Sequence, residues 1–163
     1  DTNVQDFPSS ERLVNVSKPC VRVARLFGFD PKVAFMSHST FGKPISKNTK
    51  HVRDAIELLK KEKDDFEFDG DMQPDVALNP IYQEIYPFSK IVGNANILIM
   101  PALHSAAIST KLMKVFGGGK LIGPLLIGLG LPIEVAPLRA STSEILNLAS
   151  IASYSSGIID YSN

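Results

Sequence analysis

A chain of 163 residues with 44% hydrophobic content can bury one substantial core, and its length favours one domain over two. Seventeen basic and seventeen acidic residues cancel without a basic cluster, which argues against nucleic acid as the main partner. A single cysteine excludes an internal disulfide, no apolar run reaches the roughly 18 residues needed to span a bilayer, and no signal-like segment opens the chain, so a soluble cytoplasmic protein is expected.

The chain begins with a polar stretch, residues 1–7, and then Pro8-Ser9-Ser10-Glu11, where proline at a first helical position and an acid in the first turn suit a helix start. Leu13, Val16, Cys20, Val23 and Phe27 step by three or four along one inward face, and Gly28 ends the segment. Pro19 lies inside it without an N–H to bond back to Asn15, which predicts a kink or break near Lys18. Cys20 falls on the apolar face and reads as core packing rather than a nucleophile. Residues 33–36 form a buried-strand candidate that delivers Ser37-His38-Ser39-Thr40-Phe41-Gly42-Lys43 at its carboxyl end. Open α/β sheets place ligand crevices there, so the hydroxyls and the lysine suit an oxyanion-binding loop; a polar turn with local Ser and Thr bonds is the competing reading. His38, His51 and His104 lack metal-ligand spacing, and no structural metal is expected.

A second amphipathic helix is predicted over residues 48–63, with Val52, Ile56 and Leu59 inward and a basic run at its end. Phe66-Glu67-Phe68 alternates like a short strand and leads into Asp69-Gly70-Asp71-Met72-Gln73-Pro74-Asp75. Three carboxylates there can hold a hard cation or serve as acid and base, but the Ca²⁺-loop pattern is missing, and turn or helix-cap roles account for most of them. Pro80 and Pro87 break residues 76–89 into short pieces.

Residues 93–139 read as a strand–helix–strand unit around which the chain is organised. Ile97-Leu98-Ile99-Met100 has no polar alternation and suits a parallel strand covered on both faces. Ile108, Leu112, Val115 and Phe116 mark the inward face of a helix from His104, with Lys111 and Lys114 reaching solvent. Gly117-Gly118-Gly119 follows the helix, where a C-cap and tight turn fit better than a phosphate loop, which needs the order strand, glycines, helix. A second strand is predicted over 121–127, with another short run at 133–135 and a right-handed crossover between parallel strands. Ser141-Thr142-Ser143-Glu144 is a capping box, and Ile145, Leu148 and Ala152 follow at helical steps. No repeat or linker splits residues 1–163, which read as a single α/β layered domain.

Several blocks in the same order resemble the carboxyl-terminal half of the phosphate acetyl/butyryl transferase family, in particular the version fused behind a malic enzyme in bacterial NADP-dependent malic enzymes. The matching residues are Asp1-Thr2 with Pro8, residues 33–42, residues 69–79, Gly93-Asn94-Ala95-Asn96, residues 97–101 and Gly123-Pro124-Leu125-Leu126-Ile127-Gly128. The resemblance implies a three-layer α/β/α fold with a mostly parallel, mixed sheet. It also implies a longer parent, with the rest of the transferase-like region and a malic enzyme ahead of Asp1.

Active transferases of the family carry a Ser-Arg pair shortly after the Gly-Pro strand and an Asp six residues beyond that Arg. Here the ungapped matches are Pro137, Leu138 and Glu144, and neither a pyrrolidine ring nor an isobutyl group stabilises charge on an acyl phosphate. Arg139 replaces the arginine only if the loop shifts by one; it is otherwise a surface charge. The resemblance therefore implies a regulatory and oligomerisation domain that binds acetyl-CoA as effector and has lost the transfer chemistry. The parent's malic portion uses NADP and a divalent cation, no cofactor is held within this chain, and a homo-oligomer is expected. Ser39, Thr40, Gly42, Lys43, Asn96, Lys111, Arg139 and Glu144 are the candidate acyl-CoA or phosphate contacts, and none is given a catalytic role. Ser39, Thr40 and Gly42 are expected to line a crevice on the sheet edge that also holds Asp69 and Asn96. The alternatives are an active phosphate acetyl/butyryl transferase and a structural module without ligand.

Overall fold

Strand β1, Lys32–Met36, lies at the centre of a three-stranded parallel sheet of order β2-β1-β3, between β2, Glu67–Met72, and β3, Ile97–Ile99. The structure is a computed structural model that describes residues 5–62, 64–129 and 131–158. These fall into two units, Asp1–Ser109 and Thr110–Asn163.

In the first unit, β1 has no polar residue after Lys32, and both of its faces are covered. Val33 and Phe35 point into a cluster with Leu13, Val14 and Val21 of α1, Ser10–Leu26, and Val52, Ile56 and Leu59 of α2, Lys50–Lys61. Ala34 and Met36 point the other way, onto Met72, Ile91, Ala95 and Ala77 of the short helix α3, Pro74–Leu78. This period-two alternation between two buried faces is what an uninterrupted aliphatic strand requires, and it makes the unit an α/β layered fold with a parallel sheet. Burying a side chain such as Phe35 stabilises by about 1.5–3 kcal/mol.

The expected helices of this unit are present with adjusted ends. Ser9, rather than Pro8, sets the start of α1, its hydroxyl accepting the Arg12 N–H at 3.2 Å. Helix α1 runs through Pro19 without the break expected near Lys18. Only one backbone bond is forfeited there, and the packed residues Leu13, Val14 and Val21 on either side hold the helix together. Cys20 is half-buried against the same cluster, as a packing residue would be. Strand β2 continues through Asp69, Gly70 and Asp71, residues read from sequence as a turn. The two carboxylates find protein donors, so the strand tolerates them. Gly70 lies against β1: a Cβ there would stand 2.7 Å from the Phe35 carbonyl oxygen, and its φ of 151° suits glycine.

The predicted strand–helix–strand unit over 93–139 forms only in part. β3 and α4, Leu103–Phe116, are present, and Gly117 N–H closes on the Met113 carbonyl at 2.8 Å as a C-cap should. No strand forms over 121–127 or 133–135 among the described residues. Gly123, Pro124, Gly128 and Pro132 interrupt any ladder, and Leu126 N–H donates instead to Glu134 Oε2 at 3.2 Å. The strand–helix–strand unit that does form is β1–α2–β2. Ile108, Leu112, Val115 and Phe116, predicted inward, are all exposed, and Ala106 is the buried residue of α4. In the second unit, α5, Thr142–Ile158, begins at the predicted capping box: Ser141 N–H donates to Glu144 Oε2 at 2.7 Å, and Glu144 N–H donates to Ser141 Oγ at 3.3 Å.

Candidate functional site

The loop after β1 is built on a buried carboxylate that the sequence reading left in a turn. Asp71, only 1% exposed at the end of β2, receives the Ser39 hydroxyl and the Arg53 guanidinium, at 3.4 Å, on Oδ2. Its Oδ1 accepts Gly42 N–H at 2.8 Å, and its backbone carbonyl accepts Phe41 N–H at 2.6 Å. Ser37 Oγ lies 2.9 Å from Ser39 Oγ, and Gln73 N–H donates to Thr40 Oγ1 at 3.3 Å. Thr40 and Lys43 exchange backbone bonds across a tight turn, with Phe41 at φ 49° and Gly42 at φ 81°.

Ser39 and Thr40 are buried, and their hydroxyls engage Asp71 Oδ2 and the Gln73 N–H at the end of β2 rather than the local backbone that the polar-turn reading expected. His38 and Lys43 are exposed on the same loop. Arg53, on α2, also donates to Thr49 Oγ1 at 2.6 Å and to the Ser46 carbonyl at 3.1 Å, so it ties the loop to the helix. Asp71 and Arg53 were missed in sequence because Asp-Gly-Asp has turn composition. The available signal was an acid two residues beyond Asp69 in an alternating stretch, opposite a helix carrying arginine.

Asn96 is not brought to this loop. Its carboxamide accepts Lys32 N–H at 2.8 Å and donates to the Asp30 carbonyl at 2.7 Å, which pins the amino end of β1. Ser39, Thr40, Gly42 and Lys43 follow the carboxyl end, about 17 Å away along five residues at about 3.3 Å each. Gly93-Asn94-Ala95-Asn96 precedes its strand instead of following it, so Asn96 and the Ser37–Lys43 loop cannot share an edge. Asp69 sits mid-strand, paired with Ala34, and accepts the N–H groups of Gly70 and Lys90 at 2.9 and 2.8 Å. Among the described residues no three His, Cys, Asp or Glu side chains are grouped to hold a metal ion.

The second unit contains Lys111, Arg139 and Glu144. A cavity of about 290 Å³ lies between the end of α4 and the start of α5, lined by Lys114, Lys120, Ser141, Ser143, Glu144 and Asn147. Glu144 also borders a smaller cavity with Pro137, Leu121, Ile122 and Leu148. The Ser141 N–H and hydroxyl hold the Glu144 carboxyl below its ordinary value, with Lys114 and Lys120 adding to the effect. Of the positions that match the transferase group, Pro137 and Glu144 share a cavity wall, while Leu138 is fully exposed. Arg139 is exposed in the turn closed by Ala140 N–H on the Pro137 carbonyl at 2.9 Å. Lys111 is exposed on α4, one helical turn before Lys114, which together with Lys120 reaches the cavity and was not among the predicted contacts.

The chain is 45% identical over 157 residues to the NADP-dependent malic enzyme of Rhizobium meliloti (strain 1021), a match covering 96% of this chain and 21% of that protein. It is 30% identical over 152 residues to the phosphate acetyltransferase of Bacillus subtilis (strain 168), covering 93% and 47%. A phosphotransacetylase from Streptococcus pyogenes superposes with a TM-score of 0.88 at 31% identity, over 94% of this chain and 47% of that one. The chain thus spans about a fifth of the malic enzymes and just under half of the transferases. Residues 1–153 match the phosphate acetyl/butaryl transferase family, and with the parallel sheet and the superposition in agreement, the chain belongs to that family.

Proposed function

We propose that this chain is the transferase-like domain of an NADP-dependent malic enzyme, in which it binds an acyl-CoA, acetyl-CoA first, as an effector and takes part in homo-oligomer assembly. The observation that carries the reading is the identity of 45% over 96% of this chain to a malic enzyme of which it makes up only 21%. NADP and a divalent cation would be held by the malic portion of such a polypeptide. In the second unit, the side chains of Pro137 and Leu138 supply neither a hydrogen-bond donor nor a charge where transfer would need both. Lys43, Lys111 and Arg139 are exposed cations suited to the phosphates of CoA.

The test is malate oxidation by the intact polypeptide, followed as NADPH formation with and without acetyl-CoA. Arg139→Ala is expected to raise the acetyl-CoA concentration for half-maximal effect about tenfold, the loss of one charge-assisted contact. An unchanged curve removes Arg139 from the site. Acetyl-CoA at about a hundred times its dissociation constant should stabilise the protein by about 2.7 kcal/mol in a thermal melt. Absence of any melting shift favours the structural module.

A second reading, an active phosphate acetyl/butyryl transferase, is favoured by the carboxylate of Glu144 at the Asp position and by the TM-score of 0.88 to a phosphotransacetylase. Formation of acetyl-CoA from acetyl phosphate and CoA at about 1 to 1,000 per second would establish it and displace the effector reading.

A further inference from the structure

The loop after β1 meets a second aromatic segment of the first unit. Phe41 is the one non-glycine residue with positive φ among the described residues, and a bulky side chain keeps that conformation only where its surroundings fix it. The fixing contacts are the Phe41 N–H on the Asp71 carbonyl at 2.6 Å and the Gly42 N–H on Asp71 Oδ1 at 2.8 Å. They bring the Phe41 ring to Tyr86 and Phe88, with centroids 5.2 and 4.8 Å away, and those two rings are 6.0 Å apart. The three pairs are inclined at 52°, 68° and 81°, so no ring of the cluster is stacked on another. Phe41 is half-buried against the Met36 and Met72 cluster, whereas Phe88 is 64% exposed, which leaves at least one face of its ring in water. The charge around the rings is of one sign. Segments 37–43 and 86–92 contain no acid, and their basic residues His38, Lys43 and Lys90 are all exposed. Lys90 also acts on the Glu57 carboxyl of α2, while Lys43 stands two residues from Phe41 in the turn closed on Thr40.

We propose that Phe41, Tyr86 and Phe88 form a stacking platform for adenine, the base of the acyl-CoA, with Lys43 meeting a phosphate of the same nucleotide. An aromatic face that is neither stacked nor covered accepts a planar base, and a neighbouring ammonium group selects a base that carries phosphate over one that does not. Phe88 supplies the open face, and Phe41 and Tyr86 hold it in place from the side. The inference rests on the effector reading for the identity of the ligand and adds the residues that recognise its nucleotide end. A second copy of this chain and another portion of the same polypeptide are the competing occupants.

The test is isothermal titration of the intact polypeptide with acetyl-CoA and, separately, with adenosine 3′,5′-bisphosphate, which carries the base without the acyl arm. Phe88→Ala is expected to weaken both about tenfold, the effect of losing one aromatic ring under one base. Phe88→Trp, which keeps an aromatic face, should bind as tightly as the parent sequence, and Phe88→Leu, apolar but unable to stack, should behave as Phe88→Ala. Lys43→Gln should weaken the bisphosphate several-fold, by a factor that shrinks as salt is raised. Phe88 is exposed, so these variants keep the fold, and an unshifted thermal melt checks it. Unchanged affinities in Phe88→Ala, with acetyl-CoA still bound, overturn the platform and leave the effector reading standing, as does a Phe88→Leu variant that binds like the parent. Bisphosphate binding that depends on Phe88, without any binding of acetyl-CoA, upholds the platform and removes the effector reading instead. Binding of neither ligand overturns both. A Phe88→Ala variant that changes assembly mass by light scattering, at unaltered affinity, assigns the ring to a subunit contact and overturns the platform too.

Discussion

Asp71 Oδ1 accepts the backbone N–H of Gly42 at 2.8 Å, so the end of β2 holds the turn that follows β1. Asp71 is almost fully buried and has donors on both oxygens, which means that removing the charge leaves at least one of them facing an amide that cannot accept it. Asp71→Asn is expected to destabilise the protein by about 1–3 kcal/mol in urea denaturation. A change below about 0.5 kcal/mol, ordinary for a surface substitution, would contradict this role.

Gly70 faces a harder constraint, because its missing side chain makes room for the Phe35 carbonyl of the neighbouring strand. Gly70→Ala carries a backbone cost of about 1–3 kcal/mol before the clash is counted. It should lower the urea midpoint strongly or abolish folding. Gly119→Ala, with open space around the position, is the control expected to change little.

The capping box of α5 makes a pH-dependent contribution. Ser141→Ala should cost about 0.5–2 kcal/mol by removing the N-cap acceptor. The Glu144 carboxyl is held below its ordinary value of 4.5, so its contribution is fully present above that pH and is lost as pH falls through the lowered folded value. Circular dichroism during acid titration should show α5 fraying in that acidic window in the parent sequence and a smaller acid response in Glu144→Gln. Identical titrations would contradict the cap.

Burial pushes the Cys20 thiol up, which lowers its thiolate fraction at pH 8. Iodoacetamide should modify it about tenfold more slowly in the folded protein than in 8 M urea. Equal rates would show that Cys20 lies open on α1.

The elements legible in the sequence are those whose signal is local. Val33 to Met36 carries its own burial pattern, Val52, Ile56 and Leu59 their own period, and Ser141 with Glu144 their own cap. Residues 121–127 were misread because their aliphatic side chains outweighed Gly123 and Pro124, which break the ladder that a strand there would need. Asp71 was hidden because its partners Ser39 and Arg53 come from two other segments. Asn96 was drawn to the wrong edge by its neighbourhood of Gly and Asn, which does not tell whether a strand has just ended or is about to begin.

The central position of β1 also orders events during synthesis. Lys32 pairs with Glu67, and Val33 with Ile97, so the middle strand of the sheet is made first and both of its neighbours come later. At about 5–20 residues per second, the 35 residues from Lys32 to Glu67 take the ribosome about 2–7 s. Over that interval Val33, Ala34, Phe35 and Met36 have neither of their strand partners, and α1 is the earlier helix of this unit that packs on Val33 and Phe35. The central strand is therefore the first made and the last to be fully paired, so the sheet closes only when segments from both sides of α3 have been synthesised.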